Sequence, residues 1–218
     1  MEVLLGTTNP SKVAMFEDML GGCGIVFRTP RDLGIAGEPE EEGRTPEENA
    51  AIKARYYGRY FDRVICNDAG LYFAAIPYDD PRQPGLHIRT PQGGPRMTDD
   101  EMIAYYSALA RSLGGKTLAE YPDAFAVWRG GRVFTFMETG GANGNIFYMT
   151  CEPAEKRHPG WPLDSLSLYR YSNAYFVDEP YDRALPESEK EARAAYHGRL
   201  IRFLKEALGV VSPSERGK

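Results

Sequence analysis

Two hydrophobic periods alternate along the chain, and the points where one gives way to the other lay out the elements. Val3-Leu4-Leu5 is a short continuous apolar run, the pattern of a buried strand, and Gly6 to Pro10 supplies the turn after it. From Ser11 to Leu20 the apolar residues Val13, Phe16, Met19 and Leu20 recur at helical spacing, and Gly21-Gly22 stops that helix. Ile25-Val26-Phe27 predicts a second strand. Residues 29–44, rich in Gly, Pro and Glu, predict an exposed loop. Thr45-Pro46-Glu47-Glu48 is a helix start: a capping threonine, a proline in the first turn and a glutamate three residues after the cap. That helix is predicted to run to about Phe61.

Val64-Ile65-Cys66 predicts a strand leading into a turn at Asn67-Asp68-Ala69-Gly70, and Leu71 to Ile76 predicts another strand. Residues 77–97 are dense in Pro, Gly and Arg and read as loop. Thr98-Asp99-Asp100-Glu101 repeats the capping pattern and opens a helix to Leu113, stopped by Gly114-Gly115. Phe125 to Trp128 and Val133 to Phe136 flank Arg129-Gly130-Gly131-Arg132, the spacing of a hairpin. A turn at Gly140 to Asn145, a strand at Ile146 to Cys151, a polar loop at Glu152 to Trp161 and a last helix from about Ser188 to Gly209 complete the chain, with a frayed tail from Ser212. Interleaved strands and helices favour an α/β fold with a mixed sheet.

With 218 residues, 42% of them hydrophobic, there is material for one domain, 1–218, divided into two lobes. The phosphate and metal elements fall mainly in 1–75, a second lobe in about 77–180, and a helix at about 188–209 returns to the core. A formal charge of -5 argues against a polymeric nucleic acid as partner. No apolar run approaches the roughly 20 residues of a membrane span. Cys23, Cys66 and Cys151 lack metal-site spacing and read as reduced thiols of a cytoplasmic protein without a secretory signal.

A short strand, a polar loop and a helix make an anion site from backbone N–H groups and the helix dipole. Thr7, Thr8 and Asn9 add side-chain donors and Lys12 a point charge. The same residues are also ordinary turn and solvent-facing residues. Glu48 and Asp68 are the carboxylates that a Mg²⁺ ion takes together with phosphate oxygens, and either can orient an attacking water. A capping box on Thr45 would equally explain Glu48, and a turn cap Asp68. Lys53 faces phosphate or solvent. Asn49, one residue from Glu48, points elsewhere around the helix, holding a loop or touching phosphate.

Taken together, Thr7-Thr8-Asn9-Pro10-Ser11-Lys12, Glu48-Asn49-Ala50-Ala51-Ile52-Lys53-Ala54, Asp68-Ala69-Gly70-Leu71 and Pro84-Gly85-Leu86-His87-Ile88-Arg89 resemble the Ham1-type non-canonical purine nucleoside triphosphate pyrophosphatases, also called inosine triphosphate pyrophosphatases. The resemblance spans most of the chain. It implies an elongated α/β mixed-sheet fold with two lobes flanking a deep cleft, a Mg²⁺-dependent conversion of a nucleoside triphosphate to monophosphate and pyrophosphate, and a homodimer. It also implies that Thr7, Asn9 and Lys12 hold the triphosphate, that Glu48 and Asp68 serve metal and water, and that Lys53 neutralises the leaving pyrophosphate.

The chain departs from that family at Asn67, where an acidic residue is usual, and at Ala69, where a small hydroxyl residue precedes Gly70. Asn67 keeps a carbonyl oxygen for coordination, while losing the hydroxyl at Ala69 costs about 1.5–3 kcal/mol if it bonded phosphate. At the base end, Trp161 in Pro159-Gly160-Trp161-Pro162-Leu163-Asp164 is placed to stack on a purine and Asp164 to accept hydrogen bonds from it. A core role for Trp161 fits as well. Lys190, His197 and Arg199 lie where the family reads a 6-keto group, or are surface residues of an amphipathic helix. Two other readings fit the same residues: a hydrolase of nucleoside monophosphates or glycosidic bonds, and an inactive nucleotide-binding protein.

Overall fold

The computed structural model describes residues 1–138, 145–178 and 185–210. Most of the turn expected at Gly140 to Asn145 and the tail from Ser212 lie outside the described residues. In chain order the elements begin with β1 (Glu2–Leu5), α1 (Pro10–Met19), β2 (Val26–Arg28), α2 (Pro46–Tyr57), β3 (Arg63–Ala69) and β4 (Tyr72–Phe73). They continue with α3 (Asp99–Ser112), β5 (Lys116–Glu120), β6 (Asp123–Arg129), β7 (Arg132–Met137), β8 (Ile146–Thr150), β9 (Ser167–Leu168) and α4 (Glu187–Leu208). The fold is α/β with mixed and antiparallel sheets flanked by helices, as the alternation of periods implied.

The chain divides into two compact units. The first holds Met1–Ala69, Asp123–Glu138 and the chain from Ala195 on. Its sheet has the order β2-β1-β3-β6-β7, with β1 parallel to β2 and β3, and β6 antiparallel to β3 and β7. Strand alternation sorts its side chains onto two buried faces. Val3, Leu5, Ile65, Phe125 and Val127 pack with Phe16 and Leu20 of α1 and with Tyr196, Leu200 and Leu204 of α4. Leu4, Val64, Cys66, Ala124 and Ala126 pack with Ala50, Ala54 and Tyr57 of α2. Burial on both faces is why the strands read as continuous apolar runs rather than as alternating ones.

The second unit holds Gly70–Pro122 and, of the described residues, 145–178 and 185–194. Its antiparallel sheet has the order β4-β5-β8-β9. Phe73, Phe147 and Met149 of that sheet pack with Met102, Tyr106 and Ala110 of α3.

Several elements differ from the sequence expectation. β3 runs on through Ala69, so Asn67, Asp68 and Ala69 are strand residues paired with Phe125, Ala124 and Asp123. The strand expected at Leu71 to Ile76 shrinks to Tyr72–Phe73, because the Gln83 side chain takes up the Phe73 N–H and the carbonyls of Phe73 and Ile76. β5, Lys-Thr-Leu-Ala-Glu, was not expected: its alternation is too short and its apolar residues too few to stand out. α2 stops at Tyr57, ahead of Gly58, where a Cβ would meet the Trp128 ring at 2.4 Å.

Candidate active site

The first unit brings its polar residues together at the ends of β1 and β3 and along α2. Asn49 and Lys53 are four apart on α2 and so share a face. Both reach Asp68 across the sheet face that carries Cys66. The Asn49 amide donates to Asp68 Oδ2 at 3.2 Å and the Lys53 ammonium to Asp68 Oδ1 at 2.8 Å. Asn49, 1% exposed, also accepts the Gly43 N–H at 2.8 Å through Oδ1, which anchors the loop before α2. From that loop Glu41 reaches Lys53 at 2.9 Å, so one ammonium bridges two carboxylates. Burial pulls the Lys53 pKa down, but Asp68 and Glu41 outweigh it and the net shift is upward.

Lys12 projects from the first turn of α1 into the same field. The residue is half-buried and its ammonium is enclosed; burial and then the Lys53 charge push its pKa below the usual lysine value, against the pull of Asp68, Asp123 and Glu41. The two lysines therefore differ: Lys53 is saturated by carboxylates, while no hydrogen bond or ion pair engages the Lys12 ammonium among the described residues.

The backbone amides expected to face an anion at α1 are already engaged. Asn9 caps the helix, its Oδ1 taking the Ser11 N–H at 2.9 Å and its carbonyl those of Lys12 and Val13 at 3.1 and 3.2 Å. Thr7 Oγ1 accepts the Asn9 N–H at 3.1 Å, and Thr8 is exposed. Donation to an anion here falls to the Thr7 and Thr8 hydroxyls, the Asn9 amide and Lys12. Gly6, which sets the loop, has no room for a Cβ: Cys66 Sγ would lie 2.3 Å from it and the Tyr57 ring 2.7 Å. Burial pushes the Cys66 thiol up to about 12, so it is no nucleophile.

Glu48 is engaged at the start of α2. Its own N–H donates to Thr45 Oγ1 at 3.1 Å, one half of the capping box weighed from sequence, while its carboxylate accepts the Arg44 N–H at 2.6 Å rather than that of Thr45. No hydrogen bond or ion pair links it to Lys53 or Lys12 among the described residues. The carboxylate that shares Lys53 with Asp68 is Glu41, hidden in sequence within the run Glu38-Pro39-Glu40-Glu41-Glu42. Asn67 is buried beside Asp68 but faces the other side of the sheet, as successive strand residues must. Its Oδ1 has no hydrogen-bond partner. Ala69, half-buried, ends β3, and Gly70 donates its N–H to the Pro122 carbonyl.

At the other predicted positions the side chains are placed as follows. Trp161 is half-buried and precedes the 3-10 turn Pro162–Ser165. Asp164 in that turn meets His158 Nδ1 at 2.9 Å; burial raises its pKa and His158 opposes the rise. Lys190 contacts Glu187 at 3.4 Å on α4. His197 is half-buried beside Tyr196. Arg199 is clamped at 2.7 and 2.6 Å by both oxygens of Glu138, so its fork is turned to a protein carboxylate.

Residues 3–199 match the sequence profile of the Ham1 family. The chain belongs to that family. Among curated relatives, a dITP/XTP pyrophosphatase of Leptospira interrogans is 35% identical over 101 residues, 45% of this chain and 48% of that protein. One from Exiguobacterium sp. is 34% identical over 118 residues, covering 54% and 56%. The matched stretches thus span about half the length of these relatives. A HAM1 protein from Coxiella burnetii superposes with a TM-score of 0.68 at 20% identity, over 94% of this chain and 99% of that one. A nucleoside-triphosphatase / dITP/XTP pyrophosphatase from Mycobacterium abscessus does so at 0.60 and 21% identity, over 94% and 99%. These superpositions carry the Ham1 fold.

Proposed function

We propose that this Ham1-family chain is a nucleoside triphosphate pyrophosphatase acting on a non-canonical purine nucleotide. The observation that carries the reading is Lys53 held between Asp68 and Glu41 with the enclosed ammonium of Lys12 in the same field. Two lysines and two carboxylates answer the needs of anhydride cleavage, which is catalysed mainly by positioning and charge neutralisation.

In this reading Lys12, with the Thr7 and Thr8 hydroxyls and the Asn9 amide, binds the polyphosphate. Asp68, fixed by Asn49, orients the attacking water and receives its proton. The water oxygen bonds to the α-phosphorus as the bond from that phosphorus to the bridging oxygen breaks. Lys53 and Lys12 stabilise the charge on the departing pyrophosphate. Asp68 and Glu41, converging on one ammonium, are a donor pair of the kind Mg²⁺ shares with phosphate oxygens and water. When bound there, the ion neutralises phosphate charge. Trp161 and Asp164 are the residues proposed to meet the base, and a homodimer is the proposed assembly.

The test is a panel of common and deaminated purine triphosphates, dITP and XTP among them, with Mg²⁺ and separate detection of monophosphate and pyrophosphate. Equimolar monophosphate and pyrophosphate from a deaminated purine are expected. Release of neither product from any triphosphate overturns the reading, and free base would point to glycosidic cleavage instead.

A further inference from the structure

His158 has no part in the scheme above, yet two consecutive turns bring it onto Asp164. The first turn is His158-Pro159-Gly160-Trp161, closed by the Trp161 N–H donating to the His158 carbonyl at 2.9 Å. Pro159 and Gly160 hold its central positions, and Gly160 sits at φ 81°, the sequence and sign of a type II turn. Trp161 then starts the second turn, in which its carbonyl accepts the Asp164 N–H at 3.1 Å. Trp161 is thus the corner shared by both turns. The second turn is fixed from behind: Leu163 and Leu166 are buried in the core of their unit, and Ser165 Oγ and Ser167 Oγ donate to the Pro162 and Leu163 carbonyls at 2.8 and 2.9 Å. Across the two turns His158 Nδ1 meets Asp164 Oδ2 at 2.9 Å. An ionised carboxylate only accepts, so Nδ1 carries the hydrogen. Asp164 Oδ1 has no hydrogen-bond partner among the described residues.

We propose that His158 is a positioning residue that sets purine specificity through Asp164: its Nδ1–H holds one carboxylate oxygen and leaves the other to accept the N1–H of a deaminated purine. That the ligand is a purine rests on the proposed function; the pairing of His158 with Asp164 does not. Hypoxanthine and xanthine carry a hydrogen on N1, where adenine carries a lone pair. An acceptor fixed at that edge favours the deaminated bases and meets adenine N1 acceptor to acceptor. A protonated Asp164 would reverse the choice by donating to adenine N1. Burial works toward that form by raising the Asp164 pKa, and His158 works against it. α3 and β9 also pack on this turn, and neither brings another charged group to bear on Asp164 among the described residues.

Calorimetric titration of the full chain with dITP and with dATP, without metal, reads the preference as a ratio of Kd values. The sugar and the triphosphate are common to both ligands and cancel. His158→Ala is expected to compress the preference for dITP about tenfold, the scale of one charge-assisted hydrogen bond. His158→Asn, whose amide donates from nearly the place of Nδ1, should keep most of it. In an Asp164→Asn background His158→Ala should change nothing further. The preference should also fade as pH falls and Asp164 gains a proton. In His158→Ala that fading should set in at a higher pH than in the wild type, because burial of the carboxylate is then unopposed.

An unchanged ratio in His158→Ala overturns the proposal, as does an equal compression with and without the Asp164 carboxylate, the mark of a loop merely loosened. A loss that His158→Asn shares in full overturns it too. The His158 side chain is 57% exposed, so its removal leaves no buried cavity. If His158→Ala does not fold, His158→Phe, which keeps a ring and drops both nitrogens, takes its place under the same outcomes. Wild-type chain that prefers dITP in these titrations yet releases no pyrophosphate from any triphosphate sinks the proposed reaction and leaves this role intact. Wild-type chain that binds dITP and dATP equally sinks this role, whatever products it releases.

Discussion

Asp68 has both oxygens occupied by donors from α2, and its neighbours in sequence say little about why. The contact network does: Asn49 and Lys53 fix the carboxylate, and Glu41 completes the charge balance at Lys53. Two carboxylates of different rank follow. Glu41→Gln should lower turnover by at least tenfold, whereas Glu48→Gln, which removes charge from an exposed cap, should stay within a few-fold; steady-state rates of pyrophosphate release decide between them. The lysines also separate by pH. Burial and Lys53 hold the Lys12 pKa below its usual range, whereas that of Lys53 is raised. An ammonium is present below its pKa and absent above it. Affinity for polyphosphate should therefore fall in two alkaline steps, Lys12 first, and Lys12→Met should abolish the first step in titrations between neutral pH and the ordinary lysine value near 10.5.

Elements place these residues, and short-range chemistry fixes the elements. Thr45 caps α2 by accepting the Glu48 N–H, Pro46 occupies the first turn, and Glu47 ties the helix to β7 through the Thr135 hydroxyl at 2.6 Å. Thr45→Ala should cost about 1 kcal/mol, measured by denaturant unfolding. The larger effect belongs to Gly6, where β1 passes between Cys66 and Tyr57. Gly6→Ala drives a methyl into both, and should cost about 1–3 kcal/mol or more and lower the melting temperature. α4 buries Tyr196, Leu200, Leu204, Ala207 and Leu208, a stripe at helical spacing, against the first sheet. Its pairing of Arg199 with Glu138 consumes a side chain that sequence alone offered to a base.

Across the whole molecule, the residues proposed for phosphate and metal lie in the first unit, and those proposed for the base, Trp161 and Asp164, in the second. Each unit has its own apolar core. Function should divide accordingly. Trp161→Ala is expected to compress the ratio of kcat/KM values between deaminated and ordinary purine triphosphates while leaving tripolyphosphate affinity unchanged. Lys53→Ala should do the opposite, lowering kcat for every base alike. Paired kinetics on one keto and one amino purine, with calorimetry on tripolyphosphate, check both halves.

Sequence alone was enough for the main elements of the fold and for part of the charged cluster around Asp68. β1, α1, α2, α3, the β6–β7 hairpin and α4 were legible because each is set by its own period, cap or glycine turn, and all of that information is local. Family resemblance pointed to Asp68, Lys53 and Lys12 for the same reason: contiguous motifs carry them. The partners of those residues were not legible. Glu41 sits in a run of glutamates that no local rule ranks. Only antiparallel pairing of β3 with β6, and the packing of α1 and α2 on opposite faces of the sheet, decide which charges meet, because electrostatic interaction depends on distance through the fold rather than along the chain.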